Sequence, residues 1–292
     1  MAEGAIALEP TSRPQVALTF ACTKEGRTWL SQQRAAYPFH VGRSLSICGD
    51  PPRMASVYLQ CCSGGLFEND DVRLQIEATA GAVAQVTTSA ATIVHSMRGT
   101  QACQRVELVA REDSRLEYLP DSLILFPAAC LTSTVDVRLY KRSSVLAGEI
   151  VLAHDPQALD RSFDRLHSTL TVRSETGALL MRDRWTMPGS RLTHRLPGIT
   201  GLHHAQGTVF VLHRGGNAQA LLERVRAVLP EHARLYIAAT RLPNDCGVMV
   251  RALGADEPLL RTALRTVRDV ARTWFDETGT VALPDEVAQP AG

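Results

Sequence analysis

Val72-Arg73-Leu74-Gln75-Ile76-Glu77-Ala78, a turn at Gly81, then Ala82-Val83-Ala84-Gln85-Val86-Thr87-Thr88: this stretch decides the fold. Val72, Leu74, Ile76 and Ala78 share one face of an extended segment, because successive side chains on a strand point to opposite sides. Ala82, Ala84, Val86 and Thr88 repeat the pattern after the turn. The same period returns in Val106/Leu108, Leu116/Tyr118, Val135/Val137/Leu139, Leu170/Val172 and Val209/Val211. Each run is short and bounded by Gly, Pro, Asp or Ser, which predicts strands joined by turns. No GxGxxG or P-loop opens a helix after any of them, which argues against a nucleotide-binding α/β fold.

The last third changes period. Leu221, Leu222, Val225, Val228 and Leu229 recur at helical spacing behind Asn217, a residue suited to an N-cap, and Pro230 closes the segment. Strand-like stretches follow at 235–238 and 248–253. A longer helix is predicted from Leu259 to Trp274, with Asp256, Glu257 and Pro258 at its start, where acids suit the helix dipole and proline the first turn. The reading is one domain without a clean linker or repeat. A β-rich body spans about 15–212, a small α/β portion about 213–283, and a frayed tail 284–292.

Composition limits function. With 292 residues and 45% of them hydrophobic, the chain has enough apolar side chain for a sizeable core. The net charge is +1, lysine occurs only at Lys24 and Lys141, and arginine is scattered among acids, so no nucleic-acid partner is expected. No signal peptide or membrane-length apolar run is visible, which points to the cytoplasm and to no membrane partner. In that compartment the seven cysteines are expected to be reduced, most of them as small buried hydrophobes.

No local metal cage is written. Cys61-Cys62 and His203-His204 are adjacent pairs whose side chains diverge on a strand, and there is no CxxC or HExxH. A strand end near a turn suits the cysteines, and a loop suits the histidines. No GxSxG elbow is present; a dyad of Cys130 with His95 or His154 finds no support in spacing. The most peculiar local feature is Gly64-Gly65-Leu66-Phe67-Glu68-Asn69-Asp70-Asp71, where three carboxylates crowd behind two glycines. They are either solvated on an exposed turn or form a cation-attracting or partner-docking edge. The run Val86 to Thr92 suits a closely packed strand or the lining of a narrow polar passage.

These segments stand in an order that resembles the UreD (UreH) family of urease accessory proteins. Residues 63–70 resemble its Gly-Gly, apolar pair, Gly-Gly-Asp segment, with Glu68-Asn69 in place of the second glycine pair. Val86 to Thr92 resembles its Thr-Thr-x-Ala-x-Lys run. Leu116-Glu117-Tyr118-Leu119-Pro120-Asp121-Ser122-Leu123-Ile124-Leu125-Phe126 resembles its Leu-Glu-Tyr-Leu-Pro-x-x-x-Ile-x-Phe stretch. Gly148-Glu149-Ile150, Leu180 to Arg184 and Thr240-Arg241-Leu242-Pro243 follow in family order, whereas the usual arginine-tryptophan ending is missing. The resemblance implies a β-rich helicoid stack of strands with two helices in the C-terminal region. It also implies a non-enzymatic maturation scaffold that bridges apo-urease to UreF-like and UreG-like partners. It further implies that no cofactor is held tightly and that Ni²⁺ passes transiently, with Asp70, Thr92, Glu149 and Asp183 at the positions on or near its path. Oxygen ligands suit such a path because they bind a divalent ion weakly enough to release it. The alternatives are a divergent scaffold serving another metalloenzyme, or a hydrolase using Cys130 or a histidine.

Overall fold

The computed structural model describes residues 13–45, 50–193 and 197–278. The predicted tail at 284–292 and Cys48 lie outside the described residues. Strand β1 (Val16–Cys22) pairs antiparallel with β2 (Thr28–Ala35), and β3 (Phe39–Val41) with β4 (Ala55–Cys61). The chain then winds as a coil. It runs from β4 to β5 (Asp71–Ala78), and from β6 (Val83–Thr88) through β7 (Thr92–Val94) to β8 (Ala102–Ala110). It continues from β9 (Arg115–Tyr118) through β10 (Leu123–Leu125) to β11 (Cys130–Leu139), and from β12 (Ser144–Ala153) to β13 (Arg165–Ser174).

Each turn of the coil leaves one strand in each of two sheets. In the first sheet β1, β5, β8, β11 and β13 are parallel neighbours. In the second, β4, β6, β9 and β12 are. Antiparallel strands finish both. β14 (Leu179–Pro188) pairs with β13, while β15 (Ala205–His213), β17 (Gly247–Gly254) and β16 (Leu235–Arg241) extend the second sheet beyond β12. This is the helicoid stack that the resemblance implies.

Two cores explain the sequence pattern. One lies between the sheets and includes Leu18, Ile76, Leu108, Leu116 and Val172; the other lies between the second sheet and two helices. The first sheet buries one face, so β5 alternates between buried and more exposed positions along its length. The second sheet is covered on both faces: all four residues of β9 and all nine of β15 are buried. The alternation expected for Leu116/Tyr118 and Val209/Val211 is therefore absent from the burial: Leu116 and Tyr118 face the core between the sheets and Val209 and Val211 the helices, and the positions between them are covered on the opposite side.

Those helices are α2 (Ala218–Val228) and α3 (Glu257–Glu277), separated from β14 by a short α1 (Gly189–Thr193) that the sequence reading missed. Five residues are too few for a periodic signal. Asn217 caps α2 as predicted, and Asp256, expected at the start of α3 for the helix dipole, caps that helix: their side chains accept the N–H of Ala220 and Leu259, each at 3.0 Å. At Gly207 a Cβ would stand 2.6 Å from Leu264 Cδ1, so glycine there lets α3 lie close on β15.

One other expectation is corrected. Of the six described cysteines, all free, just Cys130 and Cys246 are buried; Cys62 is exposed and the rest half-buried. In the acidic turn each of the three carboxylates has a protein partner of its own. Glu68 accepts the N–H groups of Arg98 and Thr100, Asp70 accepts the Phe67 N–H at 2.7 Å, and Asp71 pairs with Arg73 and Arg105. The Arg98 and Thr100 donors hold the Glu68 carboxyl below its ordinary pKa, the Thr100 hydroxyl most strongly.

Gly65 in that turn has φ of +142°, and a Cβ on it would lie 2.2 Å from the Ile93 carbonyl oxygen. Gly65→Ala is expected to lower the unfolding free energy by about 3 kcal/mol, because backbone of two coils must part. Gly64→Ala, at φ +83° with open space around it, is expected to cost about 1 kcal/mol. Urea unfolding of the two variants checks the difference.

Candidate functional site

The second sheet has a window. Along one edge of β12, Ser144–Ala147 pairs with β9 and Val151–Ala153 with β10, which leaves Gly148, Glu149 and Ile150 without a strand on that side. The same break recurs in the coils beneath: β6 ends at Thr88 and β7 begins at Thr92, and β9 ends at Tyr118 and β10 begins at Leu123. Segments 89–91, 119–122 and 148–150 therefore stack as one gap in the sheet.

Threonine hydroxyls stitch its rim where ladder bonds are lost. Thr87 Oγ1 donates to the Leu119 carbonyl at 2.7 Å. Thr88 Oγ1 donates to the Ala90 carbonyl at 2.9 Å and accepts the Asp121 N–H at 2.9 Å. The threonine-rich run thus packs closely and borders the gap.

On the inner side the window meets a cavity of about 230 Å³ between the sheets, lined by Leu59, Leu66, Leu74, Leu123 and Val135, with Gln104, Ser133 and Tyr118 as polar points. On the outer side it meets a groove of about 540 Å³ beside α3, flanked by Arg261, Arg265, Arg268 and Arg272. Thr88, Ser89, Pro120, Asp121 and Gly148 to Ile150 border both spaces.

Glu149 stands at the junction. Ser168 Oγ of β13 donates to its two carboxylate oxygens at 3.2 and 3.4 Å. Withdrawal from bulk water raises the Glu149 carboxyl from 4.5 to about 7. The Ser168 hydroxyl, Arg251 and the Trp185 indole oppose that shift, whereas the neighbouring Asp183 adds to it. Burial, and secondarily the Glu149 charge, also pushes the Tyr118 phenol well above its usual range.

Asp183 itself is ion-paired: Arg251 Nη2 lies 2.7 Å from its Oδ2, with Arg251 Nε 3.4 Å from Thr208 Oγ1. Thr92 lines the inner cavity, and its N–H donates to the Ser122 carbonyl at 2.8 Å. Of the sequence-derived positions, then, Thr92 and Glu149 share one cavity and Asp183 adjoins Glu149. Asp70 stands apart, closing the turn before β5, and borders none of these spaces.

The sequence reading missed Asp121 and Arg261 at the window and Ser168 and Arg251 behind Glu149. Asp121 was in view, as an unspecified position within the Leu116–Phe126 stretch. Nothing local marks the others, because each meets its partner across coils.

Among the described residues no group of three or more His, Cys, Asp or Glu side chains is placed to hold a metal ion. Cys130 has the Arg165 guanidinium at 3.6 Å. His95 stacks on Phe67 with ring centroids 4.2 Å apart, and His154 lies against Phe126. The dyads drawn for hydrolysis are therefore not assembled. Cys61 ends β4 at a turn, and His203 sits in a loop with Nδ1 2.8 Å from the Thr200 carbonyl. No helix of the described residues is long and apolar enough to cross a membrane.

A family model described as UreD urease accessory protein matches residues 12–283. The urease accessory protein UreD 1 of Pseudomonas syringae pv. syringae is 41% identical over 247 residues, covering 85% of this chain and 87% of that protein. The urease accessory protein UreD 1 of Methylorubrum populi is 35% identical over 264 residues, 89% of each chain. The urease accessory protein UreD of Natronomonas pharaonis is 30% identical over 260 residues, covering 87% of this chain and 85% of that one.

Proposed function

The chain belongs to the UreD urease accessory protein family, and from that premise we propose that it is a non-enzymatic scaffold through which Ni²⁺ reaches apo-urease. It holds urease and UreF-like and UreG-like partners together, in the cytoplasm, and gives the ion a guarded route between them. The observation that carries this reading is the window in the second sheet, with an interior cavity on one side, a groove on the other and Glu149 at their junction. A strand normally closes a sheet to anything larger than a hydrogen bond; here three stacked breaks keep it open.

The chemistry of the rim suits transit. Hydroxyls, carbonyls and single carboxylates bind a divalent ion weakly and exchange it quickly, whereas a thiolate cage retains it. Glu149, with its carboxyl near neutrality, exchanges a proton for a cation at little cost. Thr92 lines the cavity and Asp183 tunes Glu149 from behind. Asp70 is assigned a place on the approach from the acidic turn.

Co-expression of urease with its accessory proteins, with and without this chain, tests the reading. Omission is expected to abolish nickel loading and urea hydrolysis while urease still folds. Full nickel content in urease matured without the chain would refute it and turn attention to another metalloenzyme client.

A further inference from the structure

Asp121 borders both the interior cavity and the outer groove, at the rim of the window. Its carboxylate is engaged. Oδ1 accepts the Ser122 N–H at 2.6 Å, and Arg261 of α3 donates to the same oxygen through Nη2. The same guanidinium pairs through Nε with Glu257, one helical turn back, and its Nη2 lies 3.1 Å from Ser122 Oγ. Ser122 Oγ in turn donates to Glu257 Oε1 at 3.2 Å. One side chain therefore ties the helix to the rim of the opening.

Two features separate this contact from an ordinary structural ion pair. Arg261 has a second carboxylate within reach at i−4 on its own helix, so leaving Asp121 does not strand its charge. Its side chain is also 27% exposed, whereas Arg272 farther along α3 is 8% exposed and fixed by several acceptors. Burial alone would raise the Asp121 carboxyl, but Arg261, the Ser122 N–H and Arg265 together hold it below its ordinary pKa. While the guanidinium is seated, the carboxylate is held in its charged form.

We infer that Arg261 is the gate of the window: seated on Asp121 it places a positive charge at the rim and keeps a divalent cation out, and swung onto Glu257 alone it exposes Asp121 to the passage. The inference rests on the cation-passage reading and adds a residue that decides when the route is open. Docking of a partner carboxylate onto Arg261 is one way to open it; removal of the guanidinium is the direct way to test it.

The experiment measures Ni²⁺ affinity by equilibrium dialysis of the full chain in complex with its accessory partners. Arg261→Gln is expected to bind Ni²⁺ about tenfold more tightly than the unsubstituted chain, because an opposite charge leaves and a carboxylate is freed. Arg261→Lys keeps the charge and stays near the parent, and adding Asp121→Asn to Arg261→Gln returns the affinity to the parent value. Glu257→Gln removes the alternative seat, holds Arg261 on Asp121 and weakens binding. A folded Arg261→Gln complex with parental affinity overturns the gate, and so does tighter binding that survives Asp121→Asn. Should Arg261→Gln not fold, Glu257→Gln decides: unchanged affinity overturns the gate. Urease loading without the chain would instead overturn the scaffold reading, and it is a separate measurement.

Discussion

Arg272→Ala is expected to lower the unfolding free energy by about 3–5 kcal/mol, the range for removing one partner of a buried ion pair. Arg272 leaves α3 and enters the second sheet, where Nε and Nη2 donate to Glu117 at 2.7–3.1 Å, Nη2 to Gln85 at 2.9 Å, and Nη1 to Asp50 at 3.0 Å. Glu117 is fully buried, at 0% exposure. Arg115, on the same strand, lies 3.6 Å from Glu117 and 3.0 Å from Asp276 of α3, and its own Nε has no hydrogen-bond partner. Removing Arg272 leaves Glu117 with that second-best neighbour and opens a space where the guanidinium stood.

The loss is specific to the buried network. Arg265→Ala, on the exposed face of the same helix, is expected to change stability by no more than about 0.5 kcal/mol. Chemical unfolding of both variants gives the comparison, and a drop in melting temperature of about 10 °C for Arg272→Ala is the thermal counterpart. Equal stabilities for the two would mean that the network contributes nothing net. Glu117→Ala, which strands two arginines, should be at least as damaging as Arg272→Ala. The double variant should show coupling of about 1–3 kcal/mol in a mutant cycle.

Glu149→Gln is expected to stabilise the protein above neutrality and to impair nickel loading at the same time. The folded carboxyl titrates at about 7, against 4.5 as its model value. The folded state therefore binds the proton more tightly than the unfolded state. The stability this gives is fully present below about pH 4.5 and is lost as pH rises through 7. At pH 8 the ionised Glu149 costs up to about 3 kcal/mol, which the neutral amide does not incur. Measured from pH 5 to 8, the parent should lose stability relative to Glu149→Gln progressively up to about pH 7, with the difference levelling off above it.

The functional effect has the opposite sign. An amide keeps the shape and a carbonyl oxygen at the junction but carries no charge to draw a cation through the sheet. Nickel content of urease matured with Glu149→Gln should fall several-fold while the variant still assembles with its partners. A variant that is more stable at pH 8 yet fails in loading would separate a role in transit from a role in folding. Parental loading by a folded Glu149→Gln would remove Glu149 from the path.

In the first sheet β5, β8, β11 and β13 were legible because period two records a face turned to the core, whereas β1, β2 and β14 were not read as strands, and β2 buries neither face. The cap at Asn217 was legible because a cap is a local bond to an N–H three residues away, and the start of α3 at Asp256 was legible from its acids and proline. The second sheet was harder to read, since helices cover the face that water would otherwise mark with polar residues. The short α1 gave no periodic signal at all.

Sequence by itself determined that this chain is a β-rich member of its family with two capped helices near the end. Those features arise from contacts within a few residues or from a pattern repeated along one strand. Tertiary structure alone decided where the sheet opens, that Glu149 faces that opening, and that Arg272 reaches Glu117 across 155 residues of chain. A gap in a sheet is the absence of pairing between coils, and a buried ion pair joins residues that no local pattern relates. Both come into being when the coils stack and α3 closes over them.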